Sequence, residues 1–403
     1  MNKLGQEIID LICDHLMSNN EELLKLWAYR GLSRQWQAAV ERKAYASVPI
    51  LGDKAAEFVG EVNSARARYV REVHFHAMPN YPKPLGAGEV ARYPQYEGNG
   101  VHVCAPYYQE ALLANLTTAM KHMAKWEFGY PIFFSISGTY LRLNEKSFLK
   151  FPIIKNITTF SCIVENMDPV DSCKLATRMP KLRKFRFAIQ HHTKEQRFDL
   201  ADEIGTWGEK LPHLESLAIL GEYNIRIRQK PQFHPLCQEL RLLSQKRGFK
   251  HLKIEHFPIS RELFEDTLNP EAKMSWPTLE EFMVLPHEIS STGEWFLLEE
   301  HGGGELGDME GFRYLPDDAA VDPILELFSR AISLESSSAL KRVGLGFRTE
   351  AQIEGRFKAR YTLLVSSCGL IRDMSSRWNE DAILSAKQDF QALFNLRIRN
   401  GSD

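Results

Sequence analysis

The first stretch of the chain carries apolar residues at helical spacing. Leu4, Ile8, Ile9, Leu11, Ile12 and Leu16 recur every three to four positions, with Gln6, Glu7, Asp10 and Asp14 mostly between them, which predicts an amphipathic helix over 4–16. Ser18, Asn19 and Asn20 supply turn and capping chemistry, and the pattern restarts over Glu21–Tyr29 with Leu23, Leu24, Leu26 and Trp27. Gly31 interrupts it. A third helix, from Ser33 as N-cap to about Tyr45, presents Trp36, Val40 and Ala44 along one side. Three short helices bury too little surface to stand alone, so a module over residues 1–48 must lean on the rest of the chain or on a partner.

Beyond that module, over residues 49–403, a different phrase recurs: an apolar residue, two variable residues, an apolar residue, one variable residue and another apolar or β-branched residue. Its copies are Val70, Val73, Phe75; Ile154, Ile157, Thr159; Leu182, Phe185, Phe187; Leu214, Leu217, Ile219; Phe249, Leu252, Ile254; Leu279, Phe282, Val284; and Leu340, Val343, Leu345. From Ile154 to Leu279 the first positions advance by 28, 32, 35 and 30 residues, with flanking gaps of 84 and 61. A period of this size is the signature of a solenoid. Helical patterns fall between phrases, at Tyr107–Trp126, Pro235–Arg247 and Pro323–Leu334, so strand and helix alternate and the strands are expected to run parallel. Phe357, Ala359, Tyr361, Leu363 and Val365 alternate as one terminal strand, and Asn379–Ile398 reads as a helix capping the open end. Two stretches, 81–100 and 290–322, are rich in Gly with Pro or acidic residues and read as surface loops.

Both patterns resemble known families. Leu4-Gly5-Gln6-Glu7-Ile8-Ile9, then Ile12 and Leu16, then Leu32-Ser33-Arg34-Gln35-Trp36-Gln37 resemble the F-box of fungal F-box proteins, with Gly5 standing where the family usually has proline. The resemblance implies binding to the small adaptor protein of an SCF-type cullin ubiquitin ligase through Leu4, Ile8, Ile12, Leu16, Leu32 and Trp36. The recurring phrase resembles leucine-rich repeats. That family usually keeps Asn or Cys three positions after the last apolar residue, and here only Cys162 fits, so the repeat is irregular. The expected fold is therefore α/β: a three-helix F-box-like module followed by an irregular leucine-rich-repeat-like solenoid with a parallel sheet. A mixed α/β domain around one parallel sheet is the alternative.

Composition narrows the function. Hydrophobic residues make up 44% and charged residues 25% of the 403, enough apolar content to bury a core. A formal charge of -2 gives no overall field for phosphate backbones, so no nucleic-acid partner is expected. The N-terminal residues lack a secretory signal pattern and the apolar runs are far shorter than the roughly 20 residues of a membrane span, so a cytoplasmic or nuclear location without a membrane partner is expected. Cys13, Cys104, Cys162, Cys173, Cys237 and Cys368 show no paired zinc-site spacing and read as buried thiols.

Catalytic patterns fail on inspection. His301-Gly302-Gly303-Gly304 has the letters of an oxyanion loop, but the chain holds no nucleophile elbow of the G-x-S-x-G form. His74 and His76 share one side of a strand without further ligands at metal spacing. No cofactor and no metal is expected. The chain thus reads as a non-catalytic substrate-recognition subunit that captures an unknown protein substrate. An enzyme of unrecognised type with a pocket on the sheet, or an F-box-like scaffold outside the ubiquitin system, are the alternatives. Strand alternation places His74 and His76, Lys184 and Arg186, Ser216 and Ala218, Lys253 and Glu255, Glu281 and Met283, then Arg342 and Gly344 on the open face of the sheet. Of these, Lys184, Arg186 and Lys253 are expected to receive an acidic or phosphorylated segment of the substrate.

Overall fold

Each of the seven phrases leads into a β-strand in the computed structural model, which describes residues 5–16, 28–77, 96–97, 101–102, 106–126, 130–138, 141–143, 145–164, 167–189, 194–221, 235–269, 274–287, 297–299, 313–316, 318–331, 339–346, 351–353, 356–358, 363–366 and 369–372. The chain divides into two compact units, Met1–Leu217 and Ala218–Asp403. Each is described by itself.

The first unit opens on α1 (Gln6–Leu16) and α2 (Arg34–Ala44). Ser33 caps α2 as its sequence position predicts, its hydroxyl accepting from the Trp36 N–H at 3.3 Å. α2 ends at Ala44, and β1 (Ser47–Leu51) begins three residues later. The expected module boundary at residue 48 therefore falls inside a strand, and no linker separates helix from sheet.

Strands β1, β2 (Glu72–Ala77), β3 (Ile132–Gly138), β4 (Ile157–Val164) and β5 (Lys184–Ile189) then lie side by side in that order, all parallel. β6 (Ser216–Gly221) enters beside β5: the Glu215 and Ser216 N–H groups both donate to the Arg183 carbonyl, at 2.8 and 2.9 Å. Parallel neighbours need crossovers. The chain supplies α3 (Ala55–Glu61), α4 (Pro106–Ala124), α5 (Glu145–Lys150), α6 (Pro169–Ala176) and α7 (Lys194–Gly205). α6 starts where it does because Asp168 accepts from the Val170 N–H at 2.9 Å and Pro169 pre-sets the first turn.

Alternate residues of these strands build one buried layer. Ile50, Phe75, Ile136, Cys162 and Phe187 face one another strand to strand and are all at most 1% exposed. The neighbouring row stacks Phe134 on Phe160 at 5.6 Å and Phe160 on Phe185 at 5.5 Å between ring centroids. Because the parallel register repeats identical positions, one aromatic per strand becomes a continuous stack. At the end of β3, Gly138 has φ +146° and its α-carbon lies against the Ala77 carbonyl, leaving no room for a side chain.

In the second unit β7 (His251–Phe257), β8 (Glu281–Pro286) and β9 (Arg342–Leu345) are parallel, followed by antiparallel β10 (Leu363–Ser366) and β11 (Gly369–Arg372). α8 (Pro235–Ser244) precedes β7, and α9 (Asp318–Ala331) precedes β9. Trp276, Phe264, Phe282 and Phe328 form its aromatic centre.

Three expectations need correction. The single terminal strand is divided: Phe357 lies in a ribbon in which 351–353 pairs with 356–358, whereas Leu363 and Val365 belong to β10. Period-two alternation marks extended chain and is blind to which neighbour each part pairs with. The acidic stretch 290–322 contains an antiparallel pair, 297–299 with 313–316, and α9 starts at Asp318, ahead of Pro323. Proline favours the first helical position, which is why the pattern suggested the later start. The stretch 81–100 contains Tyr96–Glu97, paired with Val101–His102. The expected helices at Glu21–Tyr29 and Asn379–Ile398 lie wholly or mostly outside the described residues. No described helix is long and apolar enough to cross a membrane.

Candidate binding site

Three surfaces of the first unit merit construction from their residues. The first is the N-terminal helix pair. Its own small core is Ile9, Cys13, Ala39 and Val40, flanked by the partly buried Leu16 and Trp36. Polar clasps close the pair: Arg42 to Asp10 at 2.5 Å, Lys43 to Asp14, and the Gln6 amide to the Gln35 carbonyl at 3.3 Å. Ile9 and Cys13 lie on the side of α1 that faces α2. Ile8 is 48% exposed and Leu32 63% exposed, with Leu11 and Tyr29 also exposed. Ile12 is half-buried, and the Tyr29 and Trp36 rings lie 5.6 Å apart. Of the residues that the F-box resemblance assigns to adaptor contact, Ile8 and Leu32 are thus open, Ile12, Leu16 and Trp36 are partly covered, and Leu4 lies outside the described residues.

The second surface is the other side of the sheet. One row across it reads Pro49, His74, Ser135, Ser161 and Arg186. The row before it reads Ser47, Glu72, Phe133, Thr159 and Lys184. Lys184 and Arg186 are exposed, while Phe185 and Phe187 between and after them are buried. The two histidines pair with serines of the next strand. His74 Nδ1 lies 2.7 Å from Ser135 Oγ, its Nε2 lies 3.1 Å from Glu72, and His76 Nδ1 lies 3.1 Å from Ser137 Oγ. A carboxylate, an imidazole and a hydroxyl in line have the elements of an acyl-transfer site. Such a site also uses oxyanion donors, from backbone N–H groups or side chains, and in mid-sheet the backbone N–H groups of β2 and β3 are committed to the ladder. What the geometry shows is hydrogen bonding that ties β2 to β3. No group of metal-binding side chains occurs among the described residues.

The third surface is a cleft of about 730 Å³ where the strands enter the sheet, lined by Tyr130, Lys155, Lys181, Arg183, Lys184 and His213 among others. Of these residues, the sequence leads to an expected substrate contact for Lys184 alone; Lys181 and Arg183 read there as part of a solvated basic run. The signal was present as a basic or polar residue just ahead of successive strands, but the turns that carry it are far apart in sequence. Lys253, expected beside Lys184 and Arg186 in substrate contact, belongs to the second unit and pairs with Glu255 at 2.8 Å. Met283 and Gly344, also expected on the open face, are buried.

Desolvation shifts three groups of the first unit. Desolvation pushes the Cys162 thiol up to about 12, against a weaker opposing hydrogen bond from Ser172, and pushes Cys173 well above its ordinary value. Both are therefore inert thiols, not nucleophiles. Asp171 is raised to about 6 by desolvation, although the Leu143 N–H donates to it at 3.1 Å. It holds the segment after β3 in place. No protein-family model and no curated relative matches the chain.

Proposed function

We propose that this chain is the substrate-recognition subunit of an SCF-type cullin ubiquitin ligase, with the N-terminal helices docking the adaptor and the repeated strand-and-helix units acting as a leucine-rich-repeat-like solenoid that captures a protein substrate. One observation carries the reading: the helix pair completes its own core with Ile9, Cys13, Ala39 and Val40, yet leaves Ile8 and Leu32 in water at positions that match the F-box pattern. Covering an isoleucine or leucine is worth roughly 1.5–3 kcal/mol. A partner that covers both therefore gains affinity without any rearrangement of the pair.

On the first unit's sheet, the exposed Lys184 and Arg186 receive an acidic segment of the substrate. Affinity purification of the tagged full chain followed by mass spectrometry tests the assignment. The adaptor and cullin should be retained. Recovery of neither, under conditions in which a known F-box protein retains both, would refute it.

A further inference from the structure

Among the residues of the cleft at the strand entries, Lys184 alone takes part in the proposed substrate contact, and the cleft itself has no role there. Lys155, Lys181, Arg183 and His213 converge on it from the turns ahead of three successive strands and Lys184 from the start of β5, and neither Asp nor Glu lines it. Arg183 reaches Glu215 at 3.6 Å. Lys155, Lys181 and Lys184 have no carboxylate partner among the described residues. With an overall formal charge of -2, this accumulation is local. Like charges gathered in a concave surface repel one another until an anion enters, and low-dielectric walls strengthen the attraction for that anion.

We infer that the cleft binds a small ligand bearing several phosphate groups. Its volume of about 730 Å³ lies within the range of small-molecule sites. Thr158 and Thr159 add hydroxyl-bearing residues to the lining, whereas the Asn156 amide donates to the Trp126 carbonyl at 2.8 Å. Such a donor set suits many oxygens around one centre, whereas a single carboxylate would occupy one or two of the cations. A single-stranded nucleic acid would want aromatic platforms for its bases. Tyr130, the aromatic residue of the lining, already has the Arg71 guanidinium over its ring at 3.8 Å.

The inference does not depend on adaptor binding and is tested on the full chain with inorganic tripolyphosphate. Calorimetry should give saturable binding, the melting temperature should rise with ligand concentration, and affinity should fall as potassium chloride is added. Replacing both Lys155→Ala and Lys181→Ala should weaken binding by more than about tenfold, while Lys150→Ala, outside the lining, should leave it unchanged. All three lysines are exposed, so the unliganded variants should melt with the parent, which separates lost binding from lost folding. Equal stabilisation by sulfate at matched ionic strength, or parental affinity in the double variant, would overturn the inference. So would an RNA oligomer or a phosphoserine peptide that binds where tripolyphosphate does not.

Discussion

The two faces of the first unit's sheet are made by alternate residues of the same strands, yet they differ in every physical respect. One face is a layer of stacked rings and aliphatics shielded from water. The other carries serines, threonines, histidines and cations in ordered rows. The buried face is constrained by packing, so its residues are nearly interchangeable apolar groups recurring strand after strand. The open face is packed less tightly, and its exposed residues are freer to serve recognition.

The largest effect should come from the buried face. Phe160→Ala removes the middle ring between Phe134 and Phe185 and should cost about 3–5 kcal/mol in denaturant unfolding. A loss below about 1 kcal/mol would mean that the stack is not the unit's core. Gly138→Val should cost about 1–3 kcal/mol, because valine rarely adopts φ +146° and its side chain would run into the Ala77 carbonyl.

Asp171, a partly buried carboxylate on α6, sharpens the comparison. The folded protein keeps its proton to about pH 6, whereas the unfolded chain releases it near 3.8. Unfolding therefore releases a proton between those values, and stability falls as pH rises through that window. Asp171→Asn keeps an acceptor for the Leu143 N–H and removes the ionisation. It should stabilise the protein by about 1–3 kcal/mol at pH 7 and flatten the pH dependence between about 4 and 6, as read from melting curves across that range. The smallest stability effect belongs to the open face: Lys184→Glu with Arg186→Glu should change stability by no more than about 0.5 kcal/mol while altering the set of captured proteins. An unchanged set would remove these residues from the recognition surface.

The same contrast explains what the sequence reveals. The seven phrases are visible because burial demands apolar residues at fixed strand positions, and strands follow all seven. β3 is missed because Phe133, on the open side, turns its alternation of Ile132, Phe134 and Ile136 with serines into an apparent apolar run. The short crossovers α5 and α6 are missed because helices of this length show little periodicity, although Asp168-Pro169 carried a start signal. The open face is legible residue by residue but not as a site. That Ser135 meets His74, or that Lys155, Lys181 and His213 share one cleft, depends on parallel register and turn geometry, which no local pattern encodes. At the N-terminus the pattern locates α1 and the capped α2, but the choice between Ile8 and Ile9 as the exposed neighbour is made by the docking of the two helices.

That last pair supplies the most direct test of the proposed function. Adaptor affinity and melting temperature should be measured for the full chain, for Ile8→Asp and for Ile9→Asp. A charge at Ile8 should abolish adaptor binding with the melting temperature unchanged, and a charge at Ile9 should unfold the helix pair and lose binding through that unfolding. Retained adaptor affinity in a folded Ile8→Asp protein would contradict the account.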